Sequence, residues 1–296
     1  MKTTEGSPDK GTAFYETRSL QCGTRLLSLS TPVVMGIINL TPDSFYDGGK
    51  SGSIDQVLRR AGQMIEEGAA ILDLGAVSTR PGAAEVSESE EKARLYPAFS
   101  AIADRFPEII LSADTFRASV ARDCCAMGAG IINDISGGSA DSGMLPLMSE
   151  VKAAWVLMHM QGTPQTMQDN PQYNEVGVDI ADFFAAQLSQ KALNGKQNII
   201  LDPGFGFGKS LNDNFRLLNY LDAFLTFGLP LMAGISRKSM IYKTLNCTPD
   251  QALNGTSVLN TIALLRGASI LRVHDVAEAV ETIKLVDALN RQSVIR

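Results

Sequence analysis

The sequence predicts a single (β/α)8 (TIM) barrel of the α/β class, and three observations carry that prediction. Eight short apolar runs stop abruptly on polar residues. Between successive runs lies a segment of helical length and pattern. The length, 296 residues, suits one such barrel with an N-terminal extension, since a barrel of this kind takes about 250. Parallel strands buried on both faces read as continuous apolar runs, and each needs a crossover helix before the next. Two domains would also fit on length, but the alternation is regular and no linker interrupts it.

Taken in order, residues 1–16 are polar and are expected to form a disordered extension, leaving 17–296 for the barrel. Residues 17–29 read as a small hairpin, with Gly23 at the turn and Leu26, Leu27 and Leu29 as apolar contacts. It is placed to cover the amino-terminal end of the barrel. The runs are 33–38 ending at Asn39, 71–72 ending at Asp73, 109–113 ending at Asp114, and 131–132 ending at Asn133. Then follow 153–158 ending at His159, 199–201 ending at Asp202, 229–235 leading into Ser236, Arg237 and Lys238, and 270–273, which carries Arg272 and ends at His274.

The helices are read from caps and stops. Ser53 caps 54–67, which ends at Gly68. Ser87 with Glu90 makes a capping box for 88–106. The others are 115–127, 142–151, 178–193, 212–227, 249–266 and 275–290. Connections 40–52 and 75–86 are longer than a barrel turn needs and are rich in Gly and Pro. Both follow strands at the catalytic face, so they are expected to be mobile loops over a site.

Composition narrows the function. With 26 Lys and Arg against 32 Asp and Glu, the net charge is −6, which argues against a nucleic-acid partner. No signal peptide opens the chain and no run approaches the roughly 20 apolar residues of a membrane span. Cys22, Cys124, Cys125 and Cys247 form neither a C-x-x-C pair nor a zinc spacing, so they read as reduced packing cysteines of a cytoplasmic protein.

Strand ends at the carboxyl face of a closed parallel barrel converge, and that face is where barrel enzymes do their chemistry. Asp114, Asn133, Asp202 and Lys238 around an apolar pocket suit a flat heteroaromatic ring rich in donors and acceptors. Asp114, next to Thr115, is equally readable as a helix cap. Asn39 is a turn former or, beside a phosphate, an oxygen ligand for Mg²⁺. Arg272 and His274 lie two apart, hence on one side of the last strand, where phosphate sites recur. His159 reads as a structural histidine. Residues 202–209, Asp-Pro-Gly-Phe-Gly-Phe-Gly-Lys, have neither dinucleotide-binding nor P-loop spacing, and Lys209 is no P-loop lysine. Its glycines are expected to let backbone approach ligand closely. Arg80, in the second long connection, is placed to reach an anionic group.

The ordered set of motifs resembles the signature of the dihydropteroate synthases of folate biosynthesis. The motifs are MGIINLTPDSF at 35–45, STRPG at 78–82, NDISGG at 133–138, MHMQGTP at 158–164, LDPGFGFGK at 201–209, SRKS at 236–239 and RVHD at 272–275. The resemblance runs from about residue 17 to the end. It implies a (β/α)8 barrel joining para-aminobenzoate to 6-hydroxymethyl-7,8-dihydropterin diphosphate with release of pyrophosphate. It implies that Asp114, Asn133, Asp202 and Lys238 hold the pterin, with Met158 and Arg272 packed against it. Asn39 would help hold Mg²⁺ on the diphosphate, and Arg272 and His274 would contact phosphate. Thr79, Arg80, Pro81, Phe207, Lys238 and Ser239 would form the aminobenzoate site. Catalysis would fall to Asp202, Lys238, Arg272 and His274, through a dissociative step that leaves a pterin cation.

The chain departs from the family pattern at Ala76-Val77, where many members carry Gly-Glu, and at Ala113, where many carry Ile or Val. The alternatives are a pterin barrel that transfers a methyl group and a pterin-binding homologue without turnover. A homodimer is expected from family precedent, with Val258, Leu259, Ile262, Leu264 and Leu265 either on the dimer face or packed on strands.

Overall fold

The computed structural model describes residues 19–40, 50–78, 86–167, 169–193 and 198–292. The expected extension 1–16, and most of both long connections (41–49 and 79–85), lie outside the described residues. Strands β1 (Ser19–Cys22) and β2 (Arg25–Ser28) pair antiparallel around a turn at Gly23, whose φ of +62° glycine adopts without penalty.

Eight parallel strands follow: β3 (Val33–Asn39), β4 (Ile71–Gly75), β5 (Ile110–Asp114), β6 (Ile131–Asp134), β7 (Ala154–Met158), β8 (Ile199–Asp202), β9 (Met232–Ala233) and β10 (Ile270–Val273). Their order is β8-β7-β6-β5-β4-β3-β10-β9. A bridge between Leu201 and Leu231, with Leu201 N–H donating to Pro230 O at 2.8 Å, closes the ring between β8 and β9.

The period of two along each strand sorts the side chains. Leu72, Leu74, Leu111, Ala113, Trp155, Leu157, Leu271 and Val273 face outward, into one core shared with the helices. Met35, Ile71, Ile110, Ile131, Ala154, Ile200, Met232 and Ile270 face inward at the amino-terminal end, where Leu20, Cys22, Leu27 and Leu29 of the hairpin segment cover them. The hairpin therefore plugs the barrel as expected. Leu26 does not join the plug. It is 67% exposed, because its neighbour Leu27 takes the inward position.

The helices shift from their expected bounds where local caps yield to packing. The first runs Lys50–Glu66, so Ser53 lies inside it rather than capping it. The helix Glu88–Arg105 has only half of the expected box: Ser87 Oγ accepts the Glu90 N–H, while the Glu90 carboxylate pairs with Arg94. The next helices are Ala118–Ala126, Met144–Glu150 and Val176–Leu188, each shorter than expected. The stretch read as 212–227 is an α-helix, Leu211–Tyr220, followed by 3₁₀ turns to Phe227, and it has a full Ser210/Asp213 capping box. A short helix, Ser239–Leu245, adds to the elements expected from the sequence. Helices Leu253–Leu265 and Val276–Gln292 complete the ring.

Candidate active site

The same alternation that builds the plug builds a polar layer above it. One step toward the carboxyl end from the inward row Ile71, Ile110, Ile131 and Ile270 come Asp73, Ser112, Asn133 and Arg272. The next inward positions hold Asp114 on β5, and Met158 and Asp202 end the paired strands β7 and β8. Gly75 stands beside Asp114, where a Cβ would come 3.2 Å from the Asp114 Cβ.

These side chains form one network. Arg272 Nε donates to Asp73 Oδ2 at 2.7 Å and Arg272 Nη2 to Asp114 Oδ2 at 2.6 Å. Asn133 Nδ2 donates to the same Asp73 oxygen at 2.9 Å. Asp114 is thus tied to Arg272, and the helix-cap reading falls away: the helix starts at Ala118, with Arg117 at its N-cap. Burial pushes the Asp114 carboxyl up to about 7, with Arg272 pulling the other way and Asp73 adding to the rise. For Arg272, burial opposes the charge, but Asp73 and Asp114 outweigh it and raise the guanidinium above its ordinary value.

Across the mouth, Asp202 Oδ1 accepts the Gly204 N–H at 2.8 Å. A Cβ added at Gly234 would lie 3.9 Å from Asp202 Oδ2 and 3.8 Å from Lys238 Nζ, so both groups meet over a glycine. Burial raises the Asp202 carboxyl, against the pull of Lys238. Burial lowers the Lys238 amine to about 8, against the pull of Asp202. Lys238 Nζ donates to Phe205 O and stands 4.5 Å from the centroid of the Phe207 ring. Ser239, half-buried, opens the helix that Lys238 precedes.

His274 follows β10. Its Nδ1 shares a hydrogen bond with Ser236 Oγ at 3.0 Å, its N–H donates to the same oxygen at 3.2 Å, and its carbonyl accepts from Arg60 Nη2 at 2.7 Å. Asn39 ends β3, half-buried, in register with Gly75. His159 is buried and edge-on to Phe183 at 5.0 Å, a structural setting, as expected.

The fold therefore brings Asp114, Asn133, Met158, Asp202, Phe207, Lys238, Ser239, Arg272 and His274 to one end of the barrel, with Asn39 at the end of β3. Thr79, Arg80 and Pro81 lie outside the described residues. Sequence reasoning assigned no role to two residues that hold this set together. Asp73 ends an apolar run just as Asp114 and Asp202 do, and that position is the one signal in the sequence that marks it. Ser236 is visible in the SRKS motif, but nothing local ties it to a histidine 38 residues away.

A family model described as pterin binding enzyme matches residues 35–274. The dihydropteroate synthase of Escherichia coli (strain K12) is 47% identical over 264 residues, covering 88% of this chain and 93% of that one. A Yersinia pestis dihydropteroate synthase in complex with a sulfonamide drug superposes with a TM-score of 0.87 at 44% identity, covering 93% of this chain and 100% of that one. A Xanthomonas albilineans dihydropteroate synthase with 4-aminobenzoic acid superposes at 0.86 and 38% identity, covering 93% and 98%. On this likeness over nearly its whole length, the chain belongs to the dihydropteroate synthase family of pterin binding enzymes.

Proposed function

We propose that this chain condenses 6-hydroxymethyl-7,8-dihydropterin diphosphate with para-aminobenzoate, giving 7,8-dihydropteroate and pyrophosphate. The observation that carries this reading is the convergence of Asp114, Asn133, Asp202, Lys238 and Arg272 on the mouth of an apolar barrel. A pterin is a flat ring edged with donors and acceptors, and a few convergent polar groups orient such a ligand. Asp114, Asn133, Asp202 and Lys238 are assigned to the ring edge, and Met158 and Arg272 to packing against it. Arg272 and His274 are assigned to the diphosphate. Thr79, Arg80, Pro81, Phe207, Lys238 and Ser239 are assigned to aminobenzoate. The X. albilineans relative with 4-aminobenzoic acid supports the second substrate.

Breaking the carbon–oxygen bond sends negative charge to the diphosphate and leaves positive charge on the exocyclic carbon, shared with the dihydropterin ring. Asp202 stabilises the positive charge, and Arg272 and His274 the negative one. Groups already fixed by the barrel need no reorganisation as charge develops, which is where electrostatic catalysis gains most. An arylamine is neutral near neutral pH, so its nitrogen attacks without a dedicated base. Excluding water from the site protects the cation from hydrolysis.

Mg²⁺ suits the diphosphate end. Among the described residues no three His, Cys, Asp or Glu side chains are grouped to hold a metal. Mg²⁺ favours few protein oxygens, with phosphate oxygens and water completing its shell, and the Asn39 amide oxygen would hold it. When bound, it would neutralise diphosphate charge.

The helix Leu253–Leu265 turns Leu264 inward and leaves Val258, Ile262 and Leu265 at 51%, 37% and 52% exposure. That outward face is assigned to a homodimer, and Leu265→Glu is expected to give a monomer by sedimentation velocity. The reaction is assigned to the cytoplasm, where the four free cysteines stay reduced.

Pyrophosphate release from the pterin diphosphate, with Mg²⁺ and with or without para-aminobenzoate, tests the reading. Release that depends on aminobenzoate and yields dihydropteroate supports it. Pterin binding without release would turn the assignment to methyl transfer or to a non-catalytic pterin-binding role.

A further inference from the structure

The glycine-rich segment after β8 holds a buried amine that the proposed reaction does not use. Lys209 is 3% exposed. Its Nζ meets three acceptors: Phe207 O at 2.9 Å, His159 Nδ1 at 3.1 Å and His159 O at 3.4 Å. An ammonium carries three N–H donors and no acceptor, so the protonated side chain is matched bond for bond. The backbone around it leaves no slack. Gly204 and Gly208 have φ of +72° and +60°. A Cβ would lie 2.0 Å from His159 O at the first and 2.3 Å from Gln161 O at the second. The chain after β8 thus rests directly on the chain after β7, and Lys209 bonds the two. One of its bonds ends on Phe207, whose ring faces Lys238 Nζ.

We propose that Lys209 is the positioning residue of the arylamine subsite: its ammonium ties the Phe207 carbonyl to the His159 turn and so sets the Phe207 ring. The proposal rests on the reading of Phe207 as a wall of that subsite. Asp202 and Asp213 favour the Lys209 charge and Lys238 opposes it. The other titratable groups packed there are the His159 ring and the Tyr173 hydroxyl, which donates to Gly208 O at 2.6 Å. Burial, the largest effect, lowers the amine to about 7. Burial and then the Lys209 charge lower the His159 ring to about 3, which keeps it a neutral acceptor. A neutral amine has two N–H donors, so one of the three acceptors loses its bond as pH rises above about 7.

The test is steady-state kinetics on the full chain, with Lys209→Met and Phe207→Ala beside the unaltered protein. Lys209→Met is expected to raise KM for para-aminobenzoate about tenfold, the scale of a lost bond to a charged group, while KM for the pterin diphosphate stays within about twofold. In the unaltered protein, KM for aminobenzoate should begin to climb near pH 7, and Lys209→Met should lose that first rise and keep only the later one that follows the Lys238 amine near 8. If Phe207→Ala raises that KM and Lys209→Met does not, the positioning role fails and the reading of Phe207 stands. If Phe207→Ala changes nothing, the reading of Phe207 fails and the proposal with it. Should Lys209→Met not fold, the unaltered protein decides. A rise near pH 7 for aminobenzoate that the pterin diphosphate does not share supports the proposal. A flat profile, or a parallel rise for both substrates that belongs to Lys238, overturns it.

Discussion

Two carboxylates grip Arg272, and only one of them belongs to the proposed ring-binding set. Asp73 is fully buried and offers one oxygen to both Arg272 Nε and Asn133 Nδ2. Removing Asp73 leaves Arg272 paired with Asp114 alone and takes the acceptor from the buried Asn133 amide. Asp73→Ala is therefore expected to lower the unfolding free energy in urea by about 1–3 kcal/mol, the cost of buried donors left without that acceptor, and Asp73→Asn, which keeps an acceptor, by less. Asp202→Asn separates charge from shape, since its amide oxygen still accepts the Gly204 N–H. Its kcat is expected to fall on the order of 10²-fold, as for other lost electrostatic contacts, with an unchanged circular dichroism spectrum. Near-normal turnover would remove Asp202 from the cation-stabilising role. The buried amines set a pH dependence. Folded, Lys209 and Lys238 release protons near 7 and 8, against an ordinary 10.5. Between those values the unfolded chain binds more protons, so the stability attributable to these groups rises with pH. The unaltered protein minus Lys209→Met isolates the Lys209 share in urea titrations at several pH values; a difference that falls as pH rises contradicts the lowered amine. The gain is relief from burying a charge, and it coexists with the loss of one bond to the Phe207 segment.

Among the elements, the segment after β8 is the most constrained. Gly204→Ala meets both a left-handed φ and a carbonyl oxygen 2.0 Å away, so it should cost about 3 kcal/mol or more. Gly228 has a similar φ of +68° but nothing within 4 Å of the added methyl. Gly228→Ala should cost only about 1–2 kcal/mol. Equal losses in chemical denaturation would mean that the contact with the His159 turn carries no weight. All eight barrel strands were legible as apolar runs, because a strand buried on both faces is mostly apolar and its polar residues fall toward its carboxyl end. Their lengths were not. The run 229–235 forms a strand only over Met232–Ala233, with a bridge at Leu231 beside it, and the run read as 71–72 continues past Asp73 to Gly75. Hydropathy breaks at a buried Asp, whereas backbone pairing does not. The helix Ser239–Leu245 carries no capping signal in the sequence: Lys238, at its N-cap, makes no side-chain cap bond.

Across the whole molecule, stability and chemistry sit at opposite ends. Leu20, Leu27 and Leu29 close the amino-terminal end with an apolar plug, and the polar network opens at the other end. Leu20→Ala is expected to lose about 2–5 kcal/mol of stability by opening a cavity, with kcat at 25 °C essentially unchanged, as read from a melt and an initial-rate assay. A matching fall in kcat would show that the two ends are coupled. The barrel, the plugging hairpin and nearly every residue gathered at the mouth can be read from the order of residues alone. Each of those rests on local patterning: period two in strands, helical spacing between them, and polar residues at strand ends. Which of those residues touch follows from the closed ring and not from local pattern. Arg272 lies between Asp73 and Asp114, which are 199 and 158 residues away along the chain, and Lys209 reaches a histidine 50 residues back. Such pairings depend on where ring closure puts one strand end against another, and no window of sequence contains both partners.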